Sequence, residues 1–517
     1  MKDKEIARSG VIDIGTHSIK LFIAEKDGEE IKILELLKNV VPLGNDTFLK
    51  DRISQETINR VVAILEKYSD KLKEYSVAGV KVIATTAVRE AANRDVFIDT
   101  VYRKTGFNIE VLTVGDVIYY IDAYLYHKLK DKYPLHTKNL IIAELGAGSL
   151  DVSVMAQGFT LMNVGLPLGT LRIKQLMGKL DGSLRENYAA VEENVDNEFS
   201  CFRREMPLVS IDDIILIDET HTSHLSKVIS SNKPNESFFK LSEADTSALL
   251  TNVTERNTEE LVDEYKIPLE NAETFPAYAI ILNTFVKLSE SKNVYLLDVP
   301  LAEAVLADII LDFEISQKYN KTNQLISIAK AICRKFNMDI KHSQQVADLS
   351  DMLFDNLKET LGLKKGDLLY LLLAAHLHDL GMFVYNRAHH KHSEYLISNL
   401  NLFRLSSEEI KVIACIGRYH RKGTPAETHF LYNSLSKDKQ VLVQKLSSVL
   451  RLSNALDRSH KQKVKKIEVK FNRSQDISLT VFVPGNFLLE KIDFQEKKGM
   501  FEEISGNKIN LKIQYTE

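Results

Sequence analysis

Apolar and polar positions alternate through "VIDIGTHSIKLFIAE" (Val11 to Glu25), break at Gly15-Thr16-His17-Ser18, and resume from Ile19 to Ala24. A side-chain period of two sets one face of a strand on a core, so the stretch predicts a strand, a small-residue turn and a second strand. A third strand-like run covers Ile31 to Val41. The period then lengthens. Ile58, Val61, Val62, Leu65 and Tyr68 fall on one helical face, with Ser54 as the N-cap. "VAGVKVIATTAVREAANRDVFI" predicts a buried strand at Val80 to Ala84 and a helix after it. "LIIAELGAGSLDVSVMAQG", from Leu140, repeats the opening order of strand, glycine turn and strand, an internal repeat of pattern rather than of residue identity. Helical spacing dominates from about Gln324 to about His460. Then "KKIEVKFNRSQDISLTVFVPGN" returns to period two and ends at Pro484 and Gly485, which predicts a β-rich cap.

Bulk properties narrow the class. At 517 residues the chain has room for three or four domains of roughly 150 residues. Its 44% apolar and 27% charged residues suit a globular protein with several cores. A net charge of -4 gives no global basic field, so nucleic acid is not an expected partner. Cys201, Cys333 and Cys415 stand far apart with no CxxC pair, which excludes a thiolate zinc cluster and suits a reducing compartment. The start, MKDKEIARSG, lacks the apolar core of an export signal, and no apolar run approaches a membrane span. The expectation is a cytoplasmic protein with no membrane partner.

The two glycine turns carry the first candidate chemistry. Glycine lets the backbone approach an oxyanion, successive N–H groups form a nest, and hydroxyls add donors. An aspartate at the strand end can hold hydrated Mg²⁺. These features single out Asp13, Gly15, Thr16 and Ser18 in the first turn and Glu144, Gly146, Gly148, Ser149 and Asp151 around the second. With "ATTAVREAANRDVFI", "LGAGSLDVSV" and "LPLGTLRI" following in order, the chain resembles the Ppx/GppA family of exopolyphosphatases and guanosine-pentaphosphate phosphatases. The resemblance continues through "LHDLGMFV", "HHKHSEYLISN" and "RYHRK". It implies an α/β fold of tandem actin-like domains (ASKHA, ribonuclease-H-like), then an all-α HD-like domain and a small α+β domain. The expected boundaries are 1–125, 126–315, 316–460 and 461–517.

Several family positions have changed. Arg89 fits the family's phosphate-facing arginine, but His17 replaces its usual asparagine. The family's paired glutamates, which include the supposed catalytic base, match Asp116 and Val117, and Tyr119 replaces the arginine after them. Valine cannot take a proton from water, so the base is lost or displaced to Asp116. In Glu144-Leu145-Gly146-Ala147-Gly148-Ser149-Leu150-Asp151 both acids survive with changed length. Asp218 and Glu219 stand where the family has a small-residue phosphate turn, and "DVPLAEAVLAD" keeps Glu303 without its glycines. The expectation is a retained fold with a damaged cleft.

Eight of the fourteen histidines lie between His342 and His429. His342, His378-Asp379 and Asp457 reproduce the H…HD…D order of HD phosphohydrolases, in which imidazoles and carboxylates from separate helices surround a divalent metal. Mn, Fe, Zn and Mg all suit such a set. His392 and His420 stand at spacings where a second metal would take ligands, and Arg418 and Arg421 offer cations to a polyanion. "KQKVKK", from Lys461, reads as a solvated linker. Three functions stay open. One is a phosphohydrolase of polyphosphate or guanosine penta/tetraphosphate, with catalysis at Asp379 or, in the cleft, at Asp116 and Glu144. Another is an inactive sensor of the same ligands. The third, weaker, is an actin-like sugar kinase. A homodimer is compatible with each.

Overall fold

The computed structural model describes residues 8–229, 238–289, 293–421, 423–472 and 476–516. Residues 1–7, part of the stretch read for an export signal, Lys422 of the basic run and residues 473–475 of the β-rich tail lie outside them. The chain forms two compact units, Met1–Lys321 and Thr322–Glu517.

The first unit holds two sheets built alike. β1 (Ser9–Ile14), β2 (Ser18–Asp27) and β3 (Glu30–Val40) form an antiparallel meander. β4 (Gly79–Ala84) adds parallel to β1 and β5 (Ile109–Val111) parallel to β4, giving the order β3-β2-β1-β4-β5. In the second sheet β6 (Asn139–Leu145), β7 (Leu150–Ala156) and β8 (Phe159–Leu166) repeat the meander. β9 (Asp213–Ile217) joins parallel to β6, followed by β11 (Val294–Leu297), with β10 (Phe238–Leu241) antiparallel at the edge. The repeat read from the pattern is thus a repeat of topology. Helices cover the sheets, so β1 reads as a near-continuous apolar run that is buried from Gly10 to Ile14.

The helix Gln55–Glu74 buries the expected face, and Ser54 Oγ accepts the Thr57 N–H at 3.3 Å. After β4, where one helix is expected, the chain makes two, Thr86–Glu90 and Arg94–Thr105. Asn93 causes the break. Its side chain accepts Ile53 N–H at 2.9 Å and donates to Ile53 O at 2.8 Å, holding the joint against the loop before Ser54.

In the second unit the helices Ile340–Leu357, Leu368–Leu377, His389–Ser398, Ser407–Arg418 and Lys437–Leu456 are followed by a small sheet. β12 (Lys466–Phe471) pairs antiparallel with β13 (Ile477–Val483), and β14 (Ile509–Tyr515) pairs parallel with β13 after two intervening helices. The basic run before β12 is not merely solvated. Lys463 donates to the buried Glu490 at 3.1 Å, and Val464 is buried.

Candidate functional site

Both glycine turns of the first unit close in the same way. Gly15 N–H donates to Ser18 O at 3.0 Å, and Gly146 N–H donates to Ser149 O at 2.9 Å. The turns touch: a Cβ on Gly148 would lie 2.9 Å from Thr16 Oγ1, and one on Gly169 only 2.3 Å from the Ala147 carbonyl oxygen. Side chains at these positions would push the cradle apart. Together the turns line a cleft that has Asp13, Glu144, Asp151, Glu219, Glu270 and Glu273 as its carboxylates and Lys20 and Lys174 among its cations. Asp13 and Lys20 are register partners on β1 and β2, as Glu144 and Asp151 are on β6 and β7.

Charge is crowded here. Burial pushes the Asp13 carboxyl up to about 6, opposed by Lys20 and aided by Glu219. Burial likewise lifts Asp151 to about 6 against the pull of Arg89. Glu144 stands well above the ordinary carboxyl value, through burial and then through Asp151, Glu219, Asp218 and Asp13. Asp13 and Asp151 each keep one buried oxygen without a hydrogen-bond partner. Lys20 is ion-paired with Glu219. Burial works against its ammonium, yet Glu219, Asp13 and Glu144 outweigh it and hold the group above the usual lysine value.

The second candidate site lies in the helical unit, where helix ends bring four imidazoles to one carboxylate. His342 sits in the first turn of Ile340–Leu357, whose N-cap Asp339 accepts its N–H at 3.0 Å. His378 and Asp379 follow Leu368–Leu377, His389 opens His389–Ser398, and His420 lies just past Ser407–Arg418. Each Nδ1 is already engaged. It meets Ala375 O at 2.8 Å in His378, Asn386 O at 3.0 Å in His389, Gly417 O at 2.6 Å in His420 and the Asp457 carboxylate at 2.8 Å in His342. A ring whose Nδ1 donates turns Nε2 toward the centre of the cluster, where the Nε2 atoms of His389 and His420 lie 3.2 Å apart. Nε2 lies 3.1 Å from Asp379 Oδ1 in His389 and 3.5 Å in His420, and 3.4 Å from Oδ2 in His378. The Nε2 atoms of His342 and His378 are buried without a hydrogen-bond partner. Two donor sets result, His342/His378/Asp379 and Asp379/His389/His420, each with ligand atoms within 4.8 Å of one another. Burial pulls His378 down to about 4 and His420 well below the usual imidazole value, so both rings are neutral donors at pH 7. Burial alone would raise Asp379, but His378, His389 and His420 hold it far below the carboxylate range.

Residues 22–313 match the Ppx/GppA phosphatase family, and residues 308–496 match domain III of the Ppx/GppA phosphatases. The chain belongs to the Ppx/GppA phosphatase family. A guanosine-5'-triphosphate,3'-diphosphate pyrophosphatase of Aliivibrio fischeri is 20% identical over 456 residues, 85% of this chain and 86% of that protein. One from Pseudoalteromonas translucida is 22% identical over 460 residues, 86% of each. A bifunctional 3-dehydroquinate synthase/phosphatase of Fusobacterium nucleatum is 31% identical over 187 residues, but the match spans only 34% of this chain and 28% of that protein. Among solved structures, a Ppx/GppA family member from Aquifex aeolicus superposes with a TM-score of 0.51 at 22% identity, covering 59% of this chain and 98% of its own. An exopolyphosphatase from Cytophaga hutchinsonii superposes at 0.52 and 18%, covering 60% and 99%. These likenesses carry the fold: the first unit is the actin-like body of a Ppx/GppA protein.

Within this Ppx/GppA framework the structure brings together Asp13, Gly15, Thr16, Ser18, Glu144, Gly146, Gly148, Ser149 and Asp151 around one cleft. Three expectations need correction. Asp116 is not displaced into the base position. It closes a capping box, its carboxylate accepting from Thr113 N at 3.0 Å and Thr113 Oγ1 at 2.8 Å, while Val117 lines the cleft. Arg89 does not line the cleft either: it donates to Leu112 O at 2.9 Å and Thr86 Oγ1 at 3.0 Å. Of the two acids in the altered turn, only Glu219 faces the ligand space. Asp218 turns inward to His221.

In the helical unit His389, not His392, joins the donor sets. His392 packs instead where its Cβ would crowd any side chain at Gly381. Asp457 belongs to no donor set among the described residues. Its oxygens take His342 Nδ1–H and the Gln462 N–H at 2.8 Å each. Arg418 is ion-paired with Glu394, and Arg421 is half-buried. Sequence reasoning also missed Lys20, Arg172 and His460. Lys20 shares the Ser18 face of β2 at period two, a legible signal. Arg172 holds the second turn through Gly148 O at 3.0 Å, and His460 stacks on His342 at 3.6 Å. Neither of these leaves a pattern in the chain.

Proposed function

We propose that this protein is a metal-dependent phosphohydrolase of phosphoanhydride bonds whose chemistry sits in an HD-like helical domain, while its actin-like cleft binds the polyphosphorylated ligand. The relatives' names make inorganic polyphosphate and guanosine penta- or tetraphosphate the substrates to try. The observation that carries the reading is the convergence of four imidazoles on Asp379, each ring held by its own Nδ1 bond. The buried, unpartnered Nε2 atoms of His342 and His378, with His389 and His420 on the same carboxylate, fit one or two divalent ions.

His342, His378 and Asp379 would hold one ion, and Asp379, His389 and His420 a second; Asp457 and His460 orient His342. A bound ion there would supply Lewis acidity, lowering the pKa of water to near neutrality. The chain's own groups do the rest. Asp379 keeps its negative charge, the rings keep their tautomers, and Arg421, with Arg418 behind its Glu394 pair, offers positive charge to the phosphoryl oxygens. In the cleft, the unpartnered oxygen of Asp13 beside Glu144 fits Mg²⁺, and the nests of Gly15 to Ser18 and Gly146 to Ser149 suit phosphate oxygens. Val117 supports poor hydrolysis at that place. The same residue favours a second reading, an inactive sensor of the same ligands. We further propose the four-part division at 125, 315 and 460.

Metal analysis of the protein purified without chelator tests the first reading. Bound divalent metal in the wild type and its loss in His378→Ala are expected; metal-free wild type contradicts it and leaves the sensor.

A further inference from the structure

The turn after β9 carries Asp218-Glu219-Thr220-His221. Asp218 follows Ile217, which pairs with Glu144 in the parallel register of β6 and β9. The turn therefore leaves the sheet at its carboxyl edge, beside the second glycine turn. One Asp218 oxygen accepts the backbone N–H of His221 at 2.5 Å and of Thr222 at 2.9 Å. The other takes the His221 Nδ1–H at 3.1 Å. Both side chains are about 1% exposed, and the imidazole stacks on Tyr278 at 4.7 Å and 18°.

A neutral His221 whose Nδ1 donates to Asp218 has Nε2 free to accept, and Nε2 lies 2.9 Å from Thr274 Oγ1. The hydroxyl also reaches Asn271 O, at a longer 3.2 Å. Thr274 is half-buried and lines the same cleft as both glycine turns. It immediately precedes the helix Phe275–Ser289 and accepts Tyr278 N–H at 3.1 Å, so the first turn's remaining N–H groups favour negative charge beside it. Holding the loop would require Asp218 and the backbone groups alone. It leaves unexplained an imidazole whose second nitrogen is spent on a hydroxyl facing the ligand space. Carboxylate, imidazole and hydroxyl in this order are the arrangement by which a weak nucleophile is activated.

We propose that Asp218, His221 and Thr274 form a relay that makes Thr274 a phosphoryl acceptor for a phosphoanhydride held in the cleft, which rests on the reading of that cleft as a polyphosphate-type site. Thr274 Oγ1 attacks the terminal phosphorus. The Oγ1–P bond forms as the bond from phosphorus to the leaving phosphate oxygen breaks. The threonine proton passes to His221 Nε2 and from there to the leaving phosphate. Asp218 positions the ring and does not touch the ligand. The products are phosphothreonine and a ligand one phosphoryl group shorter, and the step requires no base at Val117.

The test incubates full-length Asp379→Ala protein, so that the helical unit does not consume the ligand, with inorganic polyphosphate and separately with guanosine pentaphosphate. Peptide mass spectrometry reads the label, and hydrogen exchange of the peptides carrying Gly15 and Gly146 reads cleft occupancy. One phosphoryl group on Thr274 is expected, retained in Thr274→Ser and formed roughly a hundredfold more slowly in His221→Gln. Asp218→Asn should slow labelling with ligand affinity unchanged, a split that a merely structural role would not give. Protected turns with Thr274 unmodified overturn the relay and leave the cleft reading standing. Unprotected turns with no label overturn both.

Discussion

Asp457 and His389 show how single residues divide the work of the helical site. Asp457 holds His342 Nδ1 at 2.8 Å, so its effect on a metal would pass through the ring it orients. Asp457→Asn is therefore expected to weaken metal binding roughly 10–100-fold without abolishing it, as outer-sphere carboxylates do. His389→Ala, which deletes a donor, should cost more than His392→Ala, which deletes none. Titration of the demetallated protein with Zn²⁺ or Mn²⁺ checks both, and equal losses would return His392 to the cluster. The sequence shows three histidines within four positions, 389, 390 and 392. Which of them points inward depends on the helix beginning at His389, after Ala388 turns the chain with φ of 60°. That is a backbone fact with no motif. His378-Asp379 was legible because adjacency alone fixes both.

Elements carry the next level. Ser54 Oγ accepts the Thr57 N–H and also donates to Asp46 at 2.6 Å, so one hydroxyl joins a helix start to the preceding helix, Leu43–Lys50. Ser54→Ala should destabilise the first unit by about 1–2 kcal/mol, read from the urea midpoint of a transition assigned to that unit. That helix, the first meander and both glycine turns with their flanking strands were legible because periodicity and caps are local signals, whereas the strand Phe159–Leu166 was not read. The break at Asn93 was not, since its cause is a pair of bonds to Ile53, 40 residues away.

The helical unit also has a pH signature. His376 and His378 are pulled from 6.5 to about 4, by burial first in each case. The unfolded chain therefore binds protons that the folded unit refuses between those values. Their contribution is complete above about 6.5 and is lost as the pH falls toward 4, and the depressed Asp379 adds to the loss with the same sign. Asp13 and Asp151 have the opposite sign: raised to about 6, they favour the fold at acid pH and lose that favour as the pH rises. Hydrogen exchange should therefore find the helices at 340–456 loosened at pH 5 relative to pH 7, with β1 and β6 not loosened. Equal loosening of both would contradict these assignments.

At the scale of the whole molecule, the chain pairs an actin-like body, whose glycine turns line a cleft, with a helical unit that gathers imidazoles around Asp379. Among the described residues no helix is long and apolar enough to cross a membrane. The order of motifs made both clusters visible in the sequence. The direction of each side chain was not visible, as Asp116, Asp218 and Arg89 show: their hydrogen bonds turn them to caps, turns and carbonyls. Water at pH 7 is a poor nucleophile, and Val117, which lines the cleft, cannot take its proton, so the proposed reading puts any hydrolysis in the helical unit. Phosphate release from polyphosphate and guanosine pentaphosphate, measured for Asp379→Ala and Asp13→Ala beside the wild type, tests that most directly. The account predicts divalent-metal dependence, a fall of orders of magnitude in Asp379→Ala, and survival of Asp13→Ala within about tenfold, a loss of roughly 1.4 kcal/mol. The opposite ranking of the two variants would contradict it and return the chemistry to the cleft.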